Sequence, residues 1–249
     1  MNSHHPINIE ALLSHIPLFE GLASEELARI ARASREIHVS KGDILFQYNG
    51  GNFDGALAIW FMDGTKQLEA KLVGPEFNPG AGWDVFAVAD INGDKKADIL
   101  FQHTDGFLAA WLMDGANSTT KSLLNPVAPF GLDGTVDAGW RAVAATDLNG
   151  DKKTDIVFQY AGGQFDRTVA VWYMDGINQT GAALLNPANP GTGWSVVATA
   201  DYNNDGKNDI LLQHTSGLLG VWFLNGVNQS GATLVTPENP GKGWRVVGP

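Results

Sequence analysis

Three stretches gather acidic side chains at one fixed spacing: Asp90-Ile-Asn-Gly-Asp-Lys-Lys-Ala-Asp98, Asp147-Leu-Asn-Gly-Asp-Lys-Lys-Thr-Asp155 and Asp201-Tyr-Asn-Asn-Asp-Gly-Lys-Asn-Asp209. Positions 1, 3, 5 and 9 of each carry side-chain oxygens: Asp90, Asn92, Asp94 and Asp98; Asp147, Asn149, Asp151 and Asp155; Asp201, Asn203, Asp205 and Asp209. A hard cation such as calcium collects about six to eight oxygens at roughly 2.3–2.6 Å, and this is a donor set of that kind. A single copy could be a metal-free Asn/Gly turn, but three independent copies favour metal. The third copy, with Gly206 at position 6, also admits an EF-hand. Its position 12 is Leu212 where an EF-hand has a bidentate Glu, and strand-like sequence flanks the loop.

Other chemistry finds little support. The chain has no cysteine, so disulfides, thiolate metal sites and a cysteine nucleophile are excluded. There is no Gly-x-Ser-x-Gly elbow, phosphate loop or zinc-spaced histidine pair. His103 and His214 stand at equivalent repeat positions, which suits a structural role or a repeated binding pocket. Nine acids lie in the three loops and are assigned to metal, so a paired-carboxylate hydrolase is not indicated. The net charge of −11 argues against nucleic acid and anionic membrane as partners. No apolar run approaches the ~20 residues of a membrane span, and the opening residues show no signal peptide.

The loops sit in a repeated frame. Four units open with an Asp-Ile run at Asp43, Asp98, Asp155 and Asp209, spaced 55, 57 and 54 residues apart. An apolar stretch ending in a turn follows: Trp60 to Gly64, Trp111 to Gly115, Trp172 to Gly176, Trp222 to Gly226. A third short strand comes next, such as Glu69 to Val73 or Ala182 to Leu185. A Pro/Gly-rich loop then leads to Gly-Trp and a strand at Trp83, Trp140, Trp194 and Trp244. Four short strands per unit, repeated radially, is the blade pattern of a propeller. All eight tryptophans fall on two positions per unit, which assigns them to core and blade-to-blade packing before sugar stacking.

These units resemble FG-GAP/VCBS-type repeats, the calcium-loop β-propeller family, over residues 43–249. The resemblance implies that each acidic loop joins the first and second strands of a blade. It also implies a carbonyl ligand at position 7: Lys96, Lys153 and Lys207. Three Ca2+ sites are therefore expected, the first unit having Asp43 without its upstream acids.

The expected fold is all-β, a four-unit β-propeller over 42–249, with a short N-terminal two-helix appendage over 1–41. The first unit lacks a Gly-Trp strand before Asp43, and the chain closes on an unpartnered one. Pairing Trp244–Val247 with Asp43–Gln47 would complete the ring. Units one and three share one sequence signature and units two and four another, so two chains forming an eight-bladed ring is the alternative; a monomer and a homodimer both stay open.

In the appendage, Asn8 and Ser24 read as helix caps, with Ile9, Leu12, Leu13 and Ile16 and then Leu27, Ile30 and Ala31 at helical spacing. The run from Leu12 to Leu22, continued by Lys41 to Phe46, resembles the start of a cyclic-nucleotide-binding domain of the catabolite-activator type. That family's Gly-Glu…Arg phosphate cassette does not follow, so cyclic-nucleotide binding is not expected. The segment is either a cap on the body or a docking or dimerisation element.

The function these features support is a non-enzymatic calcium-binding propeller acting as a protein-interaction module. A lectin is the alternative, because the aromatic loops Tyr48–Phe53 and Tyr160–Phe165 could stack on sugars. A hydrolase or lyase on the same scaffold is a distant third. Weak calcium loops favour an extracellular setting, while no export signal is visible.

Overall fold

The computed structural model describes residues 37–38, 42–74, 77–131, 133–240 and 244–246. Among them are sixteen strands and no α-helix. They form four antiparallel sheets of four strands, each in plain sequence order. The first sheet holds β1 (Ile37–His38), β2 (Ile44–Gln47), β3 (Leu57–Asp63) and β4 (Lys66–Leu72). The second holds β5 (Trp83–Ala89), β6 (Asp98–His103), β7 (Leu108–Asp114) and β8 (Asn117–Leu123). The third holds β9 (Trp140–Thr146), β10 (Asp155–Tyr160), β11 (Val169–Asp175) and β12 (Asn178–Leu184). The fourth holds β13 (Trp194–Ala200), β14 (Asp209–His214), β15 (Leu219–Asn225) and β16 (Asn228–Leu234). Together they make a four-blade propeller arrangement.

Strand sequence follows position in the blade. The second strands are continuous apolar runs because both faces are covered: β6, β10 and β14 are buried over five of six residues. The outermost strands β8, β12 and β16 are rich in Asn, Ser and Thr, and largely alternate exposed and half-buried positions. Each third strand turns back into the fourth through two residues, of which the first is Gly64, Gly115, Gly176 or Gly226 at φ 58–62. Positive φ at the first of two connecting residues is the type II′ geometry, which matches strand twist and favours glycine. The Asp or Asn before each glycine is therefore the last residue of the strand.

Blades share their cores. Leu45, Leu57, Ile59 and Val73 of the first pack with Ile99, Phe101, Trp111 and Met113 of the second. The next interface joins Leu100, Leu108 and Leu124 to Ile156, Phe158 and Trp172. Burying a side chain such as Phe101 or Phe158 contributes roughly 1.5–3 kcal/mol. Trp60, Trp111 and Trp172 are buried, as core packing requires.

A glutamine at the end of each second strand locks these interfaces. Gln47 donates through Nε2 to the Trp83 carbonyl (2.6 Å) and accepts from the Val85 N–H (2.9 Å). Gln102 does the same to Trp140 and Ala142, and Gln159 to Trp194 and Val196. Each glutamine thus satisfies two backbone groups of the neighbouring blade.

Two short segments border the first and fourth blades. The inner neighbour of β2 is β1, with Ile37 opposite Leu45 and His38 opposite Ile44. Ile37–His38, placed outside the propeller by a boundary at residue 42, thus belong to its first sheet. Trp244–Val246 lie beside the fourth blade, where Gln213 donates to the Trp244 carbonyl (3.0 Å) and accepts from the Val246 N–H (3.0 Å). Among the described residues no ladder joins this segment to β2. It takes the place beside Gln213 that β5, β9 and β13 take beside the preceding glutamines, and the side chain of Trp244 is 69% exposed. Val247 and the expected appendage helices lie outside the described residues.

Candidate functional site

Each acidic loop joins the first and second strands of its blade, at 90–97, 147–154 and 201–208. Strands flank all three, which removes the EF-hand reading of the third. The loops are built by their own side chains. Asp90 Oδ1 accepts from the Gly93 N–H (2.7 Å) and Oδ2 from the Lys95 N–H (2.7 Å). Asn92 Oδ1 accepts from the Asp94 N–H, and Asp94 Oδ1 from the Lys96 N–H, both at 2.8 Å. Asp147, Asn149 and Asp151 repeat the pattern onto Gly150, Lys152, Asp151 and Lys153. Asp201, Asn203 and Asp205 repeat it onto Asp205, Gly206 and Lys207. Positions 4 and 6 are left-handed in every loop: Gly93 and Lys95, Gly150 and Lys152, Asn204 and Gly206. The third loop exchanges which position carries glycine, and Asn at position 4 is among the few side chains that tolerate this region.

Position 9 plays a different part. Asp98, Asp155 and Asp209 are fully buried. Each carboxylate ties the loop to the third strand: Asp98 accepts from Ile91 (3.1 Å) and Met113 (2.9 Å), Asp155 from Leu148 (3.0 Å) and Met174 (3.1 Å), Asp209 from Tyr202 (3.1 Å) and Leu224 (2.9 Å). Burial raises the pKa of Asp98 above the ordinary carboxylate value; the N–H groups of Met113 and Ile91 oppose the rise, and the charges of Asp94 and Asp90 add to it. Asp155 is raised for the same reasons, with Asp151 and Asp147 as the neighbours. The acids of one loop thus repel one another, and a divalent cation would relieve that repulsion.

The loops are also tied to each other. The Thr154 hydroxyl, at position 8 of the second loop, donates to the Asp90 carbonyl of the first (2.7 Å). Asn208, at position 8 of the third, donates to the Asp147 carbonyl of the second (2.8 Å). Neither link, nor the glutamine clamps, was readable in the sequence. The only signal was that position 8 changes from Ala97 to Thr154 to Asn208, and that the glutamine recurs.

The donor set suits calcium, being all oxygen and carboxylate-rich, with Asp90, Asn92, Asp94, Asp98 and the Lys96 carbonyl as holders in the first loop and the equivalent residues in the others. Among the described residues, however, no three His, Asp or Glu side chains converge at metal-binding distance. The loop oxygens are turned onto loop N–H groups instead. Lys96 and Lys153 reach outward to Asp114 and Asp175, each at 3.0 Å.

His103, His214 and Tyr160 pack on tryptophan. His103 lies 5.2 Å from Trp83 and His214 5.1 Å from Trp194, ring centre to ring centre. Tyr160 sits between Trp140 (5.0 Å) and Phe165 (5.9 Å). The Gly before Trp83, Trp140 and Trp194 makes room for this: a Cβ on Gly82 would meet His103 Nε2 at 2.5 Å, one on Gly139 would meet Tyr160 Cζ at 2.6 Å, and one on Gly193 would meet His214 Nε2 at 2.5 Å. Of the two aromatic loops, Phe53 and Phe165 remain 43% and 53% exposed.

Fold and loops together define a four-blade β-propeller arrangement with one acidic loop in each of three blades. Residues 90–158 and 147–212 match the family model of the FG-GAP-like repeat, and thus cover the three acidic loops. Among solved structures the chain is similar to the Dos1 propeller (12% identity, TM-score 0.45, covering 80% of this chain and 46% of that one). It is also similar to the computationally designed Ika8 protein (16% identity, TM-score 0.38, covering 79% and 48%). The chain spans about half the length of either. No curated protein matches it. Among the described residues no helix is long and apolar enough to cross a membrane.

Proposed function

We propose that this chain is a non-enzymatic, calcium-stabilised scaffold that binds another protein. The observation that supports it best is the recurrence of one loop design in three blades. Each loop sets acids at positions 1 and 5 near a fully buried acid at position 9 that anchors the blade. Calcium held by Asp90, Asn92, Asp94, Asp98 and the Lys96 carbonyl would neutralise the first cluster. Asp147, Asn149, Asp151, Asp155 and Lys153 would hold the second ion, and Asp201, Asn203, Asp205, Asp209 and Lys207 the third. A ligand bound to the native state alone adds RT ln(1+[L]/Kd), about 2.7 kcal/mol at a hundredfold excess over Kd. The test is a calcium titration with calorimetry and mass measurement, followed by melting in calcium and in chelator. The expected result is three ions per chain and a higher Tm with calcium; equal Tm values in the two conditions would sink the reading.

A lectin is favoured by one observation, the exposure of Phe53 and Phe165 on equivalent loops of the first and third blades. A glycan array decides it, with Phe165→Ala expected to abolish any hit.

A further inference from the structure

The second, third and fourth blades present the same cleft. Each is walled by a loop proline, two tryptophans and an outer-strand leucine: Pro79, Trp83, Trp111 and Leu123; Pro129, Trp140, Trp172 and Leu184; Pro190, Trp194, Trp222 and Leu234. The cavity volumes are 230, 310 and 390 Å³ in that order. The smallest is the one that already has an occupant. In the second blade Lys121 stands directly across the strand pair from Trp111, and its Nζ lies 3.8 Å from the centre of the Trp111 ring. The same register position is Ala182 opposite Trp172 in the third blade and Ala232 opposite Trp222 in the fourth. The chain therefore carries its own example of what this cleft accepts, and two further copies from which that side chain is missing.

We infer that the clefts of the third and fourth blades bind the ammonium end of a lysine side chain supplied by a partner protein. The face of an indole is electron-rich and attracts a cation, more strongly where water is partly excluded. Phe130, half exposed at the rim of the third cleft, adds another aromatic wall. The net charge of −11 draws cationic partners from a distance. The aliphatic stem of the lysine would lie against Leu184 or Leu234, both about half exposed. The inference rests on the protein-binding reading only in taking the lysine from a protein. No cleft residue belongs to an acidic loop, so it stands apart from calcium.

The experiment follows the tryptophan indole N–H signals by NMR, in calcium, during titration with Nα-acetyl-lysine methylamide and with its neutral Nε-acetylated form. The expected result is movement at Trp172 and Trp222 but not at Trp111, with the neutral form at least about fivefold weaker. Ala182→Lys, at an exposed position, places the chain's own ammonium over Trp172 and should abolish the response there while leaving that of Trp222. Lys121→Ala should add Trp111 to the responding set. The inference is overturned if the neutral form binds as well as the charged one, which would make the cleft merely apolar. It is equally overturned if no indole moves, or if Ala182→Lys leaves Trp172 responding. None of these outcomes bears on whether a calcium-stabilised scaffold binds some partner elsewhere, which is read by melting and co-purification.

Discussion

The hydroxyl of Thr154 donates to the carbonyl of Asp90 at 2.7 Å, across 64 residues of chain, so that the second acidic loop rests on the first. A single neutral hydrogen bond of this kind contributes about 0.5–1.5 kcal/mol. Thr154→Val keeps the shape and removes the donor. Its expected cost is about 1 kcal/mol in urea denaturation. In a calcium titration it should also weaken coupling between the first two ions and leave the third unaffected. An unchanged isotherm would show that the loops act independently.

The glutamine clamps are worth more. Gln102→Leu leaves the Trp140 carbonyl and the Ala142 N–H without their partner inside a blade interface. Each buried unsatisfied group costs about 1–3 kcal/mol, so a loss of roughly 2–6 kcal/mol is expected. Gln213→Leu should cost less, because the segment it holds, Trp244–Val246, is largely exposed at Trp244. Equal losses at the two positions would contradict this account of the chain's C-terminal end.

Positions 5 and 9 of a loop should separate cleanly in chelator. Asp155→Ala strips the Leu148 and Met174 N–H groups of their acceptor and should cost about 3 kcal/mol with no metal present. Asp151→Asn keeps an oxygen for the Lys153 N–H and should leave the melting temperature in chelator unchanged. In calcium the same variant should bind one ion fewer than the parent. Calorimetry with and without chelator checks both halves.

Gly139→Ala tests the close approach beneath the third-blade tryptophan. The new methyl would lie 2.6 Å from Tyr160 Cζ, so the ring must shift away from Trp140 and Phe165. Overpacking of this kind costs about 1–3 kcal/mol. Combining it with Tyr160→Ala should recover part of the loss, measured as a non-additive term in a double-mutant cycle.

Much of the architecture was legible in the residues. The Asp-Ile runs, the Gly-Trp pairs and the glycine turns mark fifteen of the sixteen strands, all but β1, because β structure is written in local alternation and turn chemistry. The placement of the acids between first and second strands also follows from local order along the chain. Two details needed the assembled strands. Gly64 falls in the turn that the sequence marks, and the register adds that it is the first of the two connecting residues. The position-9 acids also accept from the N–H groups of Met113, Met174 and Leu224, fifteen residues or more further on, which loop spacing alone does not indicate.

What the chain alone determined was therefore the repeat: its period, its strands and the oxygen-rich loops, all set by neighbours in sequence. Tertiary structure decided which repeat touches which. It set Trp244 beside Gln213, linked Thr154 to Asp90, and laid Lys121 over Trp111 while Ala182 and Ala232 stand at the matching positions. Near-identical units offer near-identical partners, so no local pattern can rank them. Only the register and packing of assembled blades bring particular atoms from distant repeats within bonding distance.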